Sequence, residues 1–153
     1  MPEFGYSFQN YDPLIHVRAS AREIDVSPKA MREICNMIKG LKVNKARELL
    51  EKVRKKEMAV PFRRYKKKVP HRKGLVGFYA GKYPVKAAEY MLKLLDNLEA
   101  NAEHKGFDLD KLTIIHASAH RGRKVKNYFP RAFGRATPDF NILTHVELVA
   151  REE

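Results

Sequence analysis

The chain has 153 residues, of which 44% are hydrophobic and 32% charged, and its net charge is +13. That length carries one domain with a real core, and that apolar content excludes a chain disordered by composition. The charge imbalance, with a pI near 9.9, speaks of polyanionic partners rather than of fold.

Residues 1–13 (MPEFGYSFQNYDP) are aromatic and polar without a period and read as an irregular arm. They lack the basic and apolar regions of a signal peptide. The segment His16–Ile24 (HVRASAREI) alternates loosely, as a short strand does, and carries Arg18 and Arg22. Ser27 and Pro28 then suit the N-cap and first position of a helix. Met31, Ile34, Cys35 and Ile38 follow at helical spacing, and Gly40 is the expected stop. Cys35 is the single cysteine, so no disulfide partner exists within the chain; on an apolar helix face it reads as a packed thiol rather than a nucleophile. With no disulfide and no leader, a cytoplasmic location is expected. Asn44 is the expected cap of a second helix with Ala46, Leu49, Leu50 and Val53 on one face.

From Arg54 to Lys82 the period disappears. The segment holds basic residues at 54, 55, 56, 63, 64, 66, 67, 68, 72, 73 and 82 against one acid, Glu57, and is punctuated by Pro61, Pro70, Gly74, Gly77 and Gly81. It reads as a basic loop over 54–82. Its bland reading is a solvated surface, but so dense a run repels itself in isolation, which favours a polyanionic partner.

Pro84 opens the longest helix, reaching about His104 with a stripe of Ala87, Met91, Leu94, Leu95, Leu98 and Ala102 that belongs to the core; Gly106 ends it. Asp110–His120 reads as a strand with Ile115, Ala117 and Ala119 on one face. Phe140–Ala150 reads as its partner, with Ile142, Thr144, Val146, Leu148 and Ala150 on one face. Between them, Lys111–Pro138 contains no acid, and Arg121, Arg123, Lys124, Lys126, Arg131 and Arg135 alternate with Tyr128, Phe129 and Phe133. Such a hairpin over 111–150 has arms of up to ~60 Å at ~3.3 Å per residue, against a body whose radius of gyration is ~15 Å. It must leave the body. Charge keeps its edges from aggregating, and a partner is expected to cover them.

No phosphate-binding loop, dinucleotide glycine motif, paired-cysteine zinc motif or Ser-centred elbow is present, so neither catalysis nor a cofactor is expected. His116 and His120 share a strand face but lie ~13 Å apart in an extended strand. With His145 across from one of them they still lack a third ligand, and no metal is expected. The acids look like solvated helix faces, as in Glu48–Lys52. No run approaches the ~18 apolar residues that span a membrane.

Several strings now become specific. PRAFGRA (130–136) resembles the PRAxGRA tip of the universal large-subunit ribosomal protein numbered twenty-two in bacteria. MIKGLKVNKARELL (37–50) is similar to that family's IxGxxVxxAxxxL, and LEANAEHKG (98–106) to its AxANAEH turn. The strands Leu112–His120 and Thr144–Val149 follow in the family's order, so the resemblance covers about residues 14–150. It implies an α+β fold: three helices packed on a small antiparallel sheet, with a long protruding basic β-hairpin. It also implies a structural role in the large ribosomal subunit, binding large-subunit (23S) rRNA and neighbouring ribosomal proteins, with the hairpin tip lining the nascent polypeptide exit tunnel. Carried over, the tip facing the tunnel and the nascent chain is Lys126, Asn127, Tyr128, Phe129, Pro130, Arg131, Ala132, Phe133 and Gly134. The family position matching Phe133 is often basic, so stacking or apolar contact replaces a phosphate contact there. The insertion Pro61–Gly81 and the N-terminal arm resemble the archaeal and eukaryotic form.

The expected RNA-binding residues are therefore Arg18, Arg22, Arg63, Arg64, Lys66, Lys67, Lys68, Arg72, Lys73, Arg121, Arg123, Lys124, Lys126, Arg131 and Arg135. The alternatives are an architectural DNA-binding protein that uses a basic β-arm and an RNA-modifying enzyme with a cofactor. The first predicts a dimer that bends duplex DNA; the second predicts stabilisation by a nucleotide or methyl donor.

Overall fold

A computed structural model describes residues 5–152; of the arm expected over 1–13, residues 1–4 lie outside them. Among the described residues, three α-helices pack against one face of a three-stranded antiparallel sheet, the α+β architecture that the sequence implies. The sheet order is β1 (His16–Ile24), β5 (Ala136–Glu152), β4 (Leu112–Pro130), with β5 central. A second ladder, β2 (Val60–Pro61) with β3 (Gly81–Lys82), closes the base of the basic segment.

Helix α1 (Pro28–Ile38) starts at the expected proline and buries Met31, Ile34, Cys35 and Ile38. Ser27 occupies the N-cap in an extended conformation, yet its side chain makes no capping bond. Gly40, at φ +84°, turns the chain so that its N–H donates to Ile114 O at 2.7 Å, tying the end of α1 to β4. Helix α2 (Val43–Arg54) corrects one expectation. Lys42, not Asn44, is the cap residue, and the Asn44 side chain instead donates to Asp110 Oδ1 at 2.9 Å. The valine before it is buried and extends the apolar face by one residue. Helix α3 (Val85–His104) follows Pro84 and buries the expected stripe together with Ala88 and Leu92. Burial of such side chains, about 1.5–3 kcal/mol each for Leu, Ile or Met, holds these short helices together more than their intrinsic propensity does. Arg47 Nη2 adds a bridge from α2 to α3, lying 2.7 Å from both Asp96 Oδ1 and Glu99 Oε2.

The sheet departs from the expected alternation in two places. In β4 a bulge between Ile114 and His116 shifts the register. The core face therefore runs Leu112, Ile114, Ala117, with Ala119 packed beside it, and Ile115 falls off it. In β5 the expected face is buried from Thr144 to Ala150, but so are His145, Glu147 and Val149 on the opposite side. The N-terminal arm explains this. Phe8 packs edge-on against His16 and tilted against His116, both at 5.5 Å between ring centroids. Ser7 reaches over to Glu147. Both faces of β5 are thus covered, one by the helices and the other by the arm.

The acids also differ from the solvated faces expected. Glu33 and Glu147 are both buried, and each has partners that a sequence does not display. Among the described residues no buried side-chain N or O lacks a hydrogen-bond partner. Cys35 is packed in the core, and burial pushes its thiol up to about 12, which keeps it protonated and inert.

Candidate nucleic-acid interface

The hairpin is built by continuous pairing of β4 with β5, from Leu112 opposite Glu152 to Pro130 opposite Ala136. Its two halves have different surroundings. The inner half is core sheet. From Arg123 to Asn141 every residue is exposed. That outer stretch carries Arg123, Lys124, Lys126, Arg131 and Arg135 against one acid, Asp139.

The change of character is marked by a second register shift between Arg121 and Lys124. Gly122 sits there because nothing larger fits: a Cβ at that position would lie 2.9 Å from His145 Nε2 and 3.2 Å from Leu143 O. The His145 ring is itself fixed, its Nδ1 accepting the Glu23 N–H at 3.0 Å. Glu23 can donate in that direction because its backbone is left-handed, at φ 51°, within the β1 bulge between Ala21 and Ile24. The hairpin root is further tied to the body by Asp25, which accepts from Asn141 Nδ2 at 2.8 Å and from Lys86 Nζ at 2.6 Å. Those two bonds, Asn141 first, hold the Asp25 carboxyl below its ordinary range.

Along the shaft, Tyr128 and Phe140 meet edge-on at 5.6 Å, and Lys124 Nζ lies 4.3 Å above the Phe140 ring. Rings thus space the cations on the same surface. At the tip, Ala132–Gly134 form a tight turn in which the Arg135 N–H donates to Ala132 O at 3.4 Å, and the Arg131 N–H donates to Arg135 O at 2.8 Å across the mouth of the hairpin loop. Phe133 and Gly134 are both left-handed, at φ 58° and 68°. That turn leaves the Phe133 ring 98% exposed. The aromatic is held out in a backbone region costly for a side-chain-bearing residue.

The basic segment 54–82 is more ordered than a plain loop. Beyond the β2–β3 ladder, Phe62 N–H donates to Ala80 O, Arg72 N–H to Tyr79 O and Gly81 N–H to Pro70 O, at 2.9–3.1 Å. Its charges do not simply repel. The Arg63 guanidinium lies 5.3 Å from the Phe78 ring centre, Lys66 Nζ 5.2 Å from that of Tyr79, and the Arg72 guanidinium 5.2 Å from that of Tyr83. Buried Glu33 anchors the segment to α1, accepting from the Arg64 N–H at 3.2 Å and from Arg32 Nη1 at 2.7 Å.

Arg18 and Arg22, expected to face RNA, have partners inside the chain. The Arg18 guanidinium lies 4.5 Å from the Tyr6 ring centre and 4.4 Å from that of Tyr11, and Arg22 Nη1 lies 3.7 Å from Glu147 Oε1. They help to hold the arm. The remaining expected cations form two groups, the segment Arg63–Lys73 and the hairpin, and Arg121 stands between them at the hairpin root. Sequence reasoning missed Lys29, Arg32 and Tyr65, which the fold brings next to Arg121 around one cleft. The available signal was the place of Lys29 and Arg32 on the first turns of α1, outside its apolar stripe.

His116 and His120 are linked through a serine on the sheet surface. Ser118 Oγ sits between their Nε2 atoms, 3.2 Å from one and 2.9 Å from the other. Among the described residues no group of three His, Cys, Asp or Glu side chains is placed to hold an ion, and no helix is long and apolar enough to cross a membrane.

A helical body with a cationic, ring-studded hairpin and a second cationic segment defines a class: a small basic α+β protein that carries its charge on extended segments. Residues 19–151 match the family described as Ribosomal protein L22p/L17e. The chain is 58% identical over 152 residues to the large ribosomal subunit protein uL22 of Cenarchaeum symbiosum, covering 99% of each. It is 56% identical over 152 residues to that of Nitrosopumilus maritimus, again covering 99% of each. It is 52% identical over 150 residues to that of Archaeoglobus fulgidus, covering 98% of this chain and 97% of the other. The chain belongs to the L22p/L17e family of ribosomal proteins, in its archaeal form, a structural and not an enzymatic family.

Proposed function

We propose that the protein is a structural constituent of the cytoplasmic large ribosomal subunit that binds large-subunit rRNA with two surfaces and lines the nascent polypeptide exit tunnel with its hairpin tip. The observation that carries this reading is the outer hairpin, exposed at every residue from Arg123 to Asn141 and bearing five cations to one acid. Isolated in water such an arm gains no burial; against RNA its charges displace counterions and its rings stack.

The helical body is the platform. Arg63, Arg64, Lys66, Lys67, Lys68, Arg72 and Lys73 of the basic segment, with Arg121, Arg123, Lys124 and Lys126 of the hairpin, neutralise phosphates where RNA helices converge. Arg131 and Arg135 flank the tip turn and make bidentate phosphate contacts or stack on bases. The exposed Phe133 faces the passage itself. Neighbouring ribosomal proteins and the nascent chain are the protein partners.

The test is incorporation. The protein is expected to co-sediment with large subunits, and Arg131→Glu with Arg135→Glu to lower its incorporation and alter chemical probing of the tunnel wall. Unchanged incorporation and an unchanged wall would refute the role of the tip. A purified dimer that bends duplex DNA and ignores structured RNA would replace the whole reading with the architectural one.

A further inference from the structure

Where the first turn of α1, the basic segment and the hairpin root meet, the surface is concave, with a cleft of about 350 Å³. Its walls carry three cations, Lys29, Arg32 and Arg121, two rings, Tyr65 and Phe140, and no acid. Glu33, beside Arg32, is buried and turned toward the Arg64 amide, and Asp25, which accepts from Asn141 and Lys86, is not part of the lining. We infer that this cleft seats a single unpaired nucleotide of the RNA, its base against Tyr65 and its phosphate among Lys29, Arg32 and Arg121. This rests on the proposed rRNA-binding function and adds to it a site with one class of occupant.

Four observations support it. The volume is near the small end of ligand clefts, which admits one nucleotide and not a duplex. Its lining combines exposed rings with cations, the pairing by which proteins hold splayed-out bases. Tyr65 is half exposed and its backbone is left-handed, at φ 56°, a costly conformation for a tyrosine that sets the direction of its ring. Lys29 Nζ already lies 5.2 Å from the centre of that ring, so a base that takes its place leaves the ammonium beside the phosphate.

The cleft is distinct from the hairpin tip and meets the Arg63–Lys73 segment only at Tyr65, so it can be tested apart from the tip and from the cations of that segment. Full-length wild-type protein, Tyr65→Ala, Tyr65→Phe and Arg121→Ala are titrated with transcribed large-subunit rRNA, and bases are probed with a methylating reagent. Unchanged melting temperatures would check that the variants fold; both side chains are exposed at the surface. The expected result is binding weakened roughly 10-fold by Tyr65→Ala, exposure of one unpaired nucleotide in the same complex, and recovery of both by Tyr65→Phe. Arg121→Ala weakens binding without exposing the base. If wild type binds but both alanine variants bind equally well with an unchanged pattern, or if the nucleotide protected by Tyr65 is paired, the cleft is not a nucleotide site and the broader function stands. If wild type does not bind the rRNA at all, the broader function falls with it.

Discussion

Ser7 and Glu147, far apart in the chain, are joined by two hydrogen bonds to one oxygen: the Ser7 N–H donates to Glu147 Oε2 at 2.9 Å and the Ser7 hydroxyl at 2.7 Å. The carboxylate is almost wholly buried, and it is the point at which the arm is fastened over the sheet. Hydrogen bonds to a buried charged acceptor are worth about 1.5–3 kcal/mol. Glu147→Ala is expected to cost about that much, and Ser7→Ala about 1 kcal/mol. Combined, they should cost less than the sum, because each removes what the other would lose. Urea denaturation of the two single variants and the double variant measures the coupling. Additive losses would mean that the arm is held elsewhere.

The same face predicts acid sensitivity. Burial, followed by the charge of Lys39, pushes His116 below its ordinary value of 6.5. Burial works against the charge of Glu147, but the Ser7 bonds, with His120 and Arg22 nearby, outweigh it and hold the carboxyl below its ordinary 4.5. In both cases the unfolded chain takes up a proton before the folded one does. Stability is therefore complete above the unfolded value and is lost as pH falls through the lower, folded one. Stability should decline below about pH 6.5 through His116 and more steeply below about pH 4.5 through Glu147. Glu147→Gln should shrink the lower limb and deepen the upper one, because it removes a charge that raises His116. The exposed Asp25 and Asp108, also shifted down by hydrogen bonds, contribute less because water screens them. Melting temperatures from pH 8 to about pH 2 check both limbs.

Gly122 is the tightest point of the hairpin root. Since a Cβ there would meet the His145 ring at 2.9 Å, Gly122→Val must displace a ring that the Glu23 N–H holds in place. Overpacking of this kind costs about 1–3 kcal/mol. The loss should be partly recovered by His145→Ala, which opens the space. Thermal denaturation of the three variants gives the sign; a neutral Gly122→Val would show that the root yields freely.

What could be read from the chain follows from which interactions are local. Helices α1 and α3 were legible because Pro28, Gly40, Pro84 and Gly106 mark their ends and the apolar stripes lie at one spacing. The cap of α2 was misplaced because Asn44 has the right chemistry for a cap, but a distant partner, Asp110, takes its amide. The phase of β4 was lost at Ile115 because a bulge leaves no trace in an apolar run. Glu33 and Glu147 looked like surface acids because their partners, Arg64 and Ser7, come from other parts of the chain. Most of the basic surface was legible as charge. The cleft was not, since Lys29, Tyr65 and Arg121 meet only through the fold.

Charge alone does not assign a cation to RNA, and Arg47 shows how the two kinds separate. Arg47 is held between Asp96 and Glu99 at 2.7 Å each; Arg123 and Lys126 project from the exposed shaft. Each phosphate contact contributes about 0.7–0.9 to the slope of log affinity against log salt. Arg123→Ala with Lys126→Ala is therefore expected to reduce the slope for large-subunit rRNA by roughly 1.5, with stability almost unchanged. Arg47→Ala should do the reverse, costing up to about 1 kcal/mol of stability because its bridge is partly exposed, while the salt slope stays as in wild type. Filter binding from low to high salt, paired with melting curves, separates them. Equal slopes for wild type and the shaft variant would mean that the shaft touches no phosphate.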